Sequence, residues 1–332
     1  MDVAVVGGCL LTGLRDVTND ITALDARGHG RWVVVMPFDG PPTCARFEDC
    51  RPAPAVPMAA RAAPVAGWRS SLDAEGFAKG VAAVREAVMA GEVYQVNLCR
   101  RLTTSAPLPP GFDVLGLGAA LARANPAPFA ATVVIDRIAL AVASASPELF
   151  LRRRGRMVET RPIKGTAADG VEFLDKDRAE NVMIVDLMRN DLGRVCEYGS
   201  VTVPALCREE RHPGLVHLVS TVRGGLRAGV GWAELLAATF PPGSVTGAPK
   251  LAALDVIAQL EPARRGIYCG AIGWVDAETG NGDLNVAIRT FWTEDGRLHL
   301  GTGAGITWGS TAEGEWDETE LKARRLLAVA GR

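Results

Sequence analysis

The sequence is short of the features that announce a membrane, a nucleic acid or a disulfide framework. No apolar run approaches the roughly 18 to 20 residues needed to span a bilayer. A formal net charge of −2 leaves no cationic footprint for nucleic acid or an anionic membrane. The N-terminus, MDVAVVGGCLLTG, lacks a basic n-region and a full apolar h-region, so a signal peptide is not expected. Seven cysteines make an odd count with no C-x-x-C pair, which argues against a disulfide framework and a zinc ribbon. These absences predict a cytoplasmic compartment. No internal repeat is present. What remains is ordinary globular material, 48% apolar and 22% charged over 332 residues, enough for one large or two ordinary domains.

The stretch from Glu159 to Val195 stands out from that background. It opens with a lysine held between a proline and a glycine, Pro162-Ile163-Lys164-Gly165-Thr166. A lysine at a rigid strand-to-turn junction can be aimed and partly desolvated, which makes it a nucleophile. An acidic, glycine-containing loop follows, then a helix carrying Asp177, Glu180 and Asn181 in its first turns, where side-chain oxygens suit a hard cation such as Mg2+. By spacing alone, Lys164 reads first as a solvated turn lysine and Glu180 as a favourable first-turn charge.

Elsewhere the chain alternates apolar runs with turn signals. Arg31 to Phe38 predicts a buried strand, and Gly40 to Ala66, rich in Pro, Ala and Arg, reads as loop or extended chain. Asp73 to Glu92 predicts a helix capped by Ser71, with Phe77, Val81, Val84 and Val88 on one face. Val93 to Arg101 predicts a strand with Gln95, Asn97 and Cys99 on one side. A helix over about 114–124 leads to strands over 129–136 and 138–143, then to Ser146-Pro147-Glu148. Paired strands are expected over 200–212 and 215–227, and His217 lies in the second among apolar residues. A short helix, Trp232 to Ala238, precedes a turn of glycines and hydroxyls, Gly243 to Gly247, that opens a helix to about Leu260; such a turn is a natural anion seat. Strands over 267–274 and 283–292 and a third over 298–306 follow, the last ending Gly301-Thr302-Gly303-Ala304-Gly305-Ile306. Small residues there admit a carboxylate to backbone donors, and Arg289 is a fork donor for a second one. The last helix, Glu313 to Ala330, carries Glu315, Glu318 and Lys322 on one face. Cys9 resembles faintly the nucleophile turn of glutamine amidotransferases, but no G-H-Q follows it and no His-x-Glu lies downstream, so no glutaminase is expected in this chain.

PIKGT followed by KDRAENVMIVDLMRNDLGRV resembles the signature of the chorismate-utilising enzymes, and within them the component I subunits of aminodeoxychorismate synthase. The resemblance runs from about Ala74 to the C-terminus, through SPE at 146–148, VHLVS at 216–220, FPPGSVTGAPK at 240–250, GTGAGI at 301–306 and GEWDETELK at 314–322. It implies an α+β fold: a large sandwich of two orthogonal antiparallel sheets with helices packed outside. Residues 71–332 would form the chorismate-binding catalytic domain, and residues 1–70 a reduced N-terminal portion packing on the same unit. The implied reaction is amination of chorismate to 4-amino-4-deoxychorismate, feeding 4-aminobenzoate and folate synthesis, with ammonia from a separate glutamine amidotransferase. The resemblance assigns catalysis to Lys164, Glu148 and His217, Mg2+ to Glu180 and Glu318, and substrate contacts to Gly165, Thr166, Ser244, Tyr268, Arg289, Gly303, Ala304, Gly305 and Lys322. Anthranilate synthases carry alanine where Lys164 stands, and isochorismate and salicylate synthases carry a lysine in place of Gln95. The alternatives are thus an anthranilate synthase component I and, from another class, a non-catalytic chorismate- or partner-binding subunit. The L-L-E-S-like segment with which relatives help to bind tryptophan is not found, although 125–129 (NPAPF) resembles the other side of that pocket.

Overall fold

The structure, a computed structural model, describes residues 1–53, 64–167, 173, 175–212 and 215–331, with the side chains of Thr166, Ala167, His212 and Leu215 excepted. Much of the predicted loop over 40–66 and the acidic loop after Thr166 therefore lie outside the described residues. Five strands, β1 (Asp2–Val6), β2 (Cys9–Thr18), β3 (Arg31–Met36), β4 (Thr43–Pro52) and β5 (Trp68–Ser70), precede α1 (Ala74–Met89). Then come β6 (Gln95–Thr104), α2 (Val114–Ala124), β7 (Ala131–Ile135), β8 (Leu140–Ser144), β9 (Leu149–Arg154), β10 (Met157–Arg161), β11 (Ile163–Ala167) and α3 (Asp175–Gly193). The rest is β12 (Thr202–His212), β13 (Leu215–Gly225), α4 (Trp232–Thr239), β14 (Gly247–Ala248), α5 (Lys250–Leu260), β15 (Ala271–Asp276), β16 (Gly282–Val286), β17 (Thr290–Glu294), β18 (Arg297–Ile306) and α6 (Ala312–Ala330).

All strand pairings are antiparallel, and the hydrogen-bonded ladder is continuous through the described strands. One half runs β6–β18–β17–β8–β7–β1–β2, with β5 and β14 also on β6. The other runs β4–β3–β15–β16–β9–β10–β13, with β11 and β12 also on β13. Strand β2 joins them, pairing β1 on one side and β4 on the other. The largest core draws on both halves, from Ala4, Val133 and Val142 on one to Val34, Phe150 and Val275 on the other, and α3 and α4 close it. Two smaller cores lie where α2 and α6 cover β8, β17 and β18, and where α1 and α5 cover β6 and β18. This is the expected α+β fold, a two-sheet antiparallel sandwich with helices outside.

Several local expectations need correction. Thr43–Pro52 is strand β4, not loop: Cys44, Ala45 and Phe47 are buried between β2 and β3, a pattern masked by the flanking prolines. Asp73, not Ser71, caps α1, accepting from Gly76 N at 2.8 Å, because the Ser71 hydroxyl is taken by Arg101 N. The strand predicted over 267–274 begins only at Ala271, and that over 283–292 is broken into β16 and β17. At each break one residue is left-handed, Cys269 with φ 65° and Arg289 with φ 52°. The two irregular segments brace one another, since Cys269 N donates to Ala287 O at 3.0 Å and Ala287 N to Gly270 O at 2.8 Å. Non-glycine residues adopt that conformation rarely, at a cost of order 1 kcal/mol, so the surrounding sheets must impose it.

Lys250, at the start of α5, is a strut. Its Nζ lies 2.6 Å from Asp191 of α3 and 2.9 Å from the Thr239 carbonyl that ends α4. The lysine and aspartate side chains are 13% and 5% exposed. Burial pushes the Lys250 pKa down and that of Asp191 up, each opposed by the partner charge. Removing one member strands a buried charge. Lys250→Ala should therefore destabilise the fold by about 3 kcal/mol in urea denaturation, and adding Asp191→Leu should restore part of the loss.

Candidate active site

Strand β11 meets β13 with a register break between Ile163 and Thr166. A bulge re-aims the side chains it displaces. Gly165 sits in it with φ 81°, and a Cβ there would lie 3.1 Å from the Asp177 side chain of α3, so both the conformation and the space favour glycine. The bulge sends Lys164 toward Gly305 on β18. A Cβ on Gly305 would stand 3.6 Å from Lys164 Nζ and 2.1 Å from Gln95 Nε2, so any side chain there would displace the Gln95 amide. Gln95 Nε2 donates in turn to Glu180 Oε2 at 3.4 Å. Strands β6, β11 and β18 and helix α3 thus converge on one point, and the missing side chain at Gly305 makes the room.

Three carboxylates ring that lysine. Glu148, entering β9 after Pro147, is 4% exposed, and burial pushes its pKa up to about 7. The Ser244 hydroxyl, the Lys164 charge, the Ile163 amide and the Arg289 charge pull the other way. Ser244, itself buried, stands near enough to hold that value down, yet its Oγ makes no hydrogen bond of good geometry. Glu180 is also pushed up, first by burial and then by the charges of Glu318 and Asp177, against Lys164 and Lys176. For Glu318 burial is outweighed by Lys322, Lys164 and Lys176, and the carboxyl is held below its usual range. Lys322 Nζ lies 2.6 Å from Glu318 and 2.9 Å from the Gly303 carbonyl, so this lysine clamps α6 to β18.

The remaining predicted residues divide. Arg289 interacts with the Glu148 charge, and burial and the Arg325 charge push its own pKa down. His217 is buried on β13, opposite Thr166 in the ladder; the side chain of Thr166 lies outside the described residues. Ala304 turns its side chain into the core shared with α1 and α5, so only its backbone faces the site. At Gly303 a Cβ would meet Cys99 Sγ and the Leu98 carbonyl, so close packing on β6 accounts for this glycine. The Tyr268 ring lies over Gly301, at 2.0 Å from a Cβ placed there, roughly 13 Å along β18 from Gly305. Asn181 is not an oxygen donor for a cation: it is buried, donates to Leu218 O at 3.1 Å and accepts from Ser220 Oγ, tying α3 to β13.

Some participants stand outside the site residues that the sequence assigned. Gln95 is central, though its neighbours alone could not show that. Glu315 is pushed up by burial, and the Glu318 and Glu180 charges add to that shift. Arg265 and Glu261, an i,i+4 pair in which both side chains are at most 5% exposed, carry the site from behind. Arg265 donates to Val245 O and Asn97 O, both at 2.7 Å, and Glu261 accepts from Cys99 N at 2.8 Å. Nothing in the local sequence marks them, since charges at a helix end are ordinarily solvated.

Glu148 yields a stability test. Its pKa in the fold, about 7, lies above the ordinary 4.5. The folded state therefore holds the proton more tightly, and this contribution is complete below about pH 4.5 and lost as pH rises through 7. Relative to Glu148→Gln, the wild-type chain should lose about 2–3 kcal/mol of stability between pH 5 and pH 8, measured by denaturant titration at both.

Among known proteins, the chain is 40% identical over 309 residues to aminodeoxychorismate synthase component 1 of Klebsiella aerogenes, covering 90% of this chain and 66% of that one. It is 41% identical over 278 residues to anthranilate synthase component 1 of Streptomyces coelicolor, covering 80% and 53%. The chain thus spans between about half and two thirds of the length of these relatives. Anthranilate synthase component I of Streptococcus pneumoniae superposes with a TM-score of 0.75 at 27% identity, over 91% of this chain and 81% of that one. The menaquinone-specific isochorismate synthase of Escherichia coli, at 19% identity, shares the fold with a TM-score of 0.78 over 99% and 89%. The profile of the chorismate binding enzymes matches residues 42–328, and by that match and these relatives the chain belongs to that family.

Proposed function

We propose that this chain aminates chorismate to 4-amino-4-deoxychorismate, as an aminodeoxychorismate synthase component I. The observation that carries the reading is Lys164, thrust by its bulge beside Gly305 and Gln95 and close enough to Glu148, Glu180 and Glu318 to act on the charge of all three. Relatives named for the aminodeoxychorismate and the anthranilate reactions are equally similar overall, so identity does not separate them. A lysine where anthranilate synthases carry alanine favours the first, and an amide at Gln95, unable to take a proton from water, disfavours the isochorismate reaction.

In this reading Glu148, protonated below about pH 7, gives its proton to the departing ring hydroxyl, which leaves as water. The Lys164 amine attacks the ring carbon next to the carboxylate-bearing one, and the double bond shifts as the hydroxyl departs. Ammonia, supplied by a separate glutamine amidotransferase, then adds at the former hydroxyl carbon, and the lysine is expelled. Arg289 and the backbone about Gly303 to Gly305 would seat carboxylates. His217, buried on the neighbouring strand, is assigned to the ring-hydroxyl side of the pocket.

The donor set also fits Mg2+. Glu180 and Glu318 present hard oxygens from two different helices, and the Glu318 charge makes ionisation of Glu180 harder, a penalty that a divalent cation between them would reverse. Bound there, Mg2+ would supply positive charge against the ring carboxylate. Glu180→Gln and Glu318→Gln should each weaken Mg2+ affinity, read by direct titration calorimetry, while leaving the thermal unfolding midpoint within a few degrees of wild type.

Incubated with chorismate and no amine, the wild-type chain should accumulate an adduct on Lys164, located by mass spectrometry of a digest. Lys164→Ala should lose the adduct, and with ammonium salt its residual product should drift toward anthranilate. Lys164→Arg should be worse still, because a guanidinium stays protonated and fills the space. An unmodified Lys164, with 4-amino-4-deoxychorismate made at the wild-type rate by Lys164→Ala, would refute the covalent route. Anthranilate from the wild-type chain would instead favour the second reading.

A further inference from the structure

A cavity of about 300 Å3 opens far from the site just described, where the end of β9, the turn between β15 and β16, and the start of α4 meet. Arg27, Arg153, Arg156 and Arg227 line it, against a single acid, Asp25. That acid is already engaged, for its carboxylate accepts from Trp232 N and Ala233 N at the first turn of α4. The helix end is thereby satisfied and is not itself the attraction.

The arginines are not equally compensated. Arg156 reaches Glu197 at 2.6 Å and Arg227 reaches Glu234 at 3.1 Å, both outside the cavity lining. Arg153 donates through Nε to the Gly155 carbonyl and through Nη2 to the Val230 carbonyl, each at 3.0 Å. Arg27 donates to the Glu278 carbonyl at 2.6 Å. Carbonyl oxygens satisfy donor geometry without neutralising charge. Arg153 and Arg27 consequently repel, and the half-buried Arg153 guanidinium loses its proton more readily from burial and from the Arg27 charge, despite Asp25. Two fork-shaped cations held against one another by carbonyls and glycine turns make a receptor for oxyanions, which accept bidentate pairs from each.

We propose that this cavity is a second anion-binding site, separate from the chorismate pocket, which takes a small, multiply charged oxyanion of the phosphate or polycarboxylate type. Glu148, just before β9, and Arg153, near its end, lie five positions apart, roughly 16 Å, so one ligand of this size cannot serve both. The cavity nonetheless has a structural route to the active site. Helix α4 starts at its wall with Trp232 and ends at Thr239, whose carbonyl receives Lys250; the turn that follows α4 carries Ser244 to Glu148.

The test is thermal unfolding of the full chain titrated with inorganic phosphate and with citrate, against chloride at equal ionic strength. A saturable rise in the midpoint is expected with at least one anion, and which one acts assigns the ligand class. Arg27→Gln and Arg153→Gln should each raise the fitted dissociation constant at least about tenfold, and Arg289→Gln, in the chorismate pocket, should leave it unchanged. Arg27 is exposed, so its variant keeps the test valid even if Arg153→Gln fails to fold. No saturable shift with either anion, an unchanged constant in Arg27→Gln, or loss of the effect in Arg289→Gln would each overturn the proposal.

Discussion

The buried pair of Arg265 and Glu261 holds together the parts from which the active site is made. One guanidinium takes the carbonyls of Asn97 on β6 and Val245 in the Ser244 turn, and one carboxylate takes the Cys99 amide. Burying two charges is expensive, and an apolar pair of the same volume is often as stable. What apolar residues could not do is satisfy three backbone groups at the place where the strand and the turn meet, beside the bond from Asn97 N to Thr246 O. With the backbone bonds from β6 to Thr246 and to β14, the pair sets where Ser244 stands relative to β6, and thereby relative to Glu148.

The same division between supporting and reacting groups explains how the carboxylates differ. Glu148, Glu180 and Glu318 all lose hydration, yet only Glu318 is held below its usual range, because Lys322 reaches it directly. Glu148 has no such partner and keeps a proton near neutrality. One lysine thus stands among carboxyls whose proton affinities are pushed apart, in the way that neighbouring groups of like chemistry differ in unlike surroundings.

Much of this was legible in the sequence, and the failures have physical causes. The long ordered motifs singled out Lys164, Glu148, Glu180 and Glu318, which the fold brings near one another, and the sequence reading placed a helix at each of the six α-helices among the described residues. Strand β4 was hidden because prolines around it imitate a loop, whereas its pairing with β2 and β3 is set by tertiary contact. The breaks at Cys269 and Arg289 were unreadable since neither residue favours φ above zero, and only the opposing segment imposes it. Asn181 looked like a ligand because an amide beside a glutamate suits cations, and burial against Leu218 and Ser220 gives it other work. Arg265 and the cavity about Arg153 could not be foreseen, for they depend on residues brought together from distant parts of the chain.

The order of the ladder bears on how the molecule is made. Strand β6 meets the short β5 early, but its long edge is covered only when β18 arrives, Val96 pairing with Ile306 and Cys99 with Gly303. At ribosomal rates of about 5–20 residues per second, the strand that carries Gln95 waits roughly 10–40 s for the edge that will cover it. Strand β3, with three consecutive valines and β4 on its other edge, waits similarly for β15. A nascent chain with two unpaired apolar edges is a template for association with other chains. The strand order thus leaves those edges open to other chains until the last strands have been synthesised.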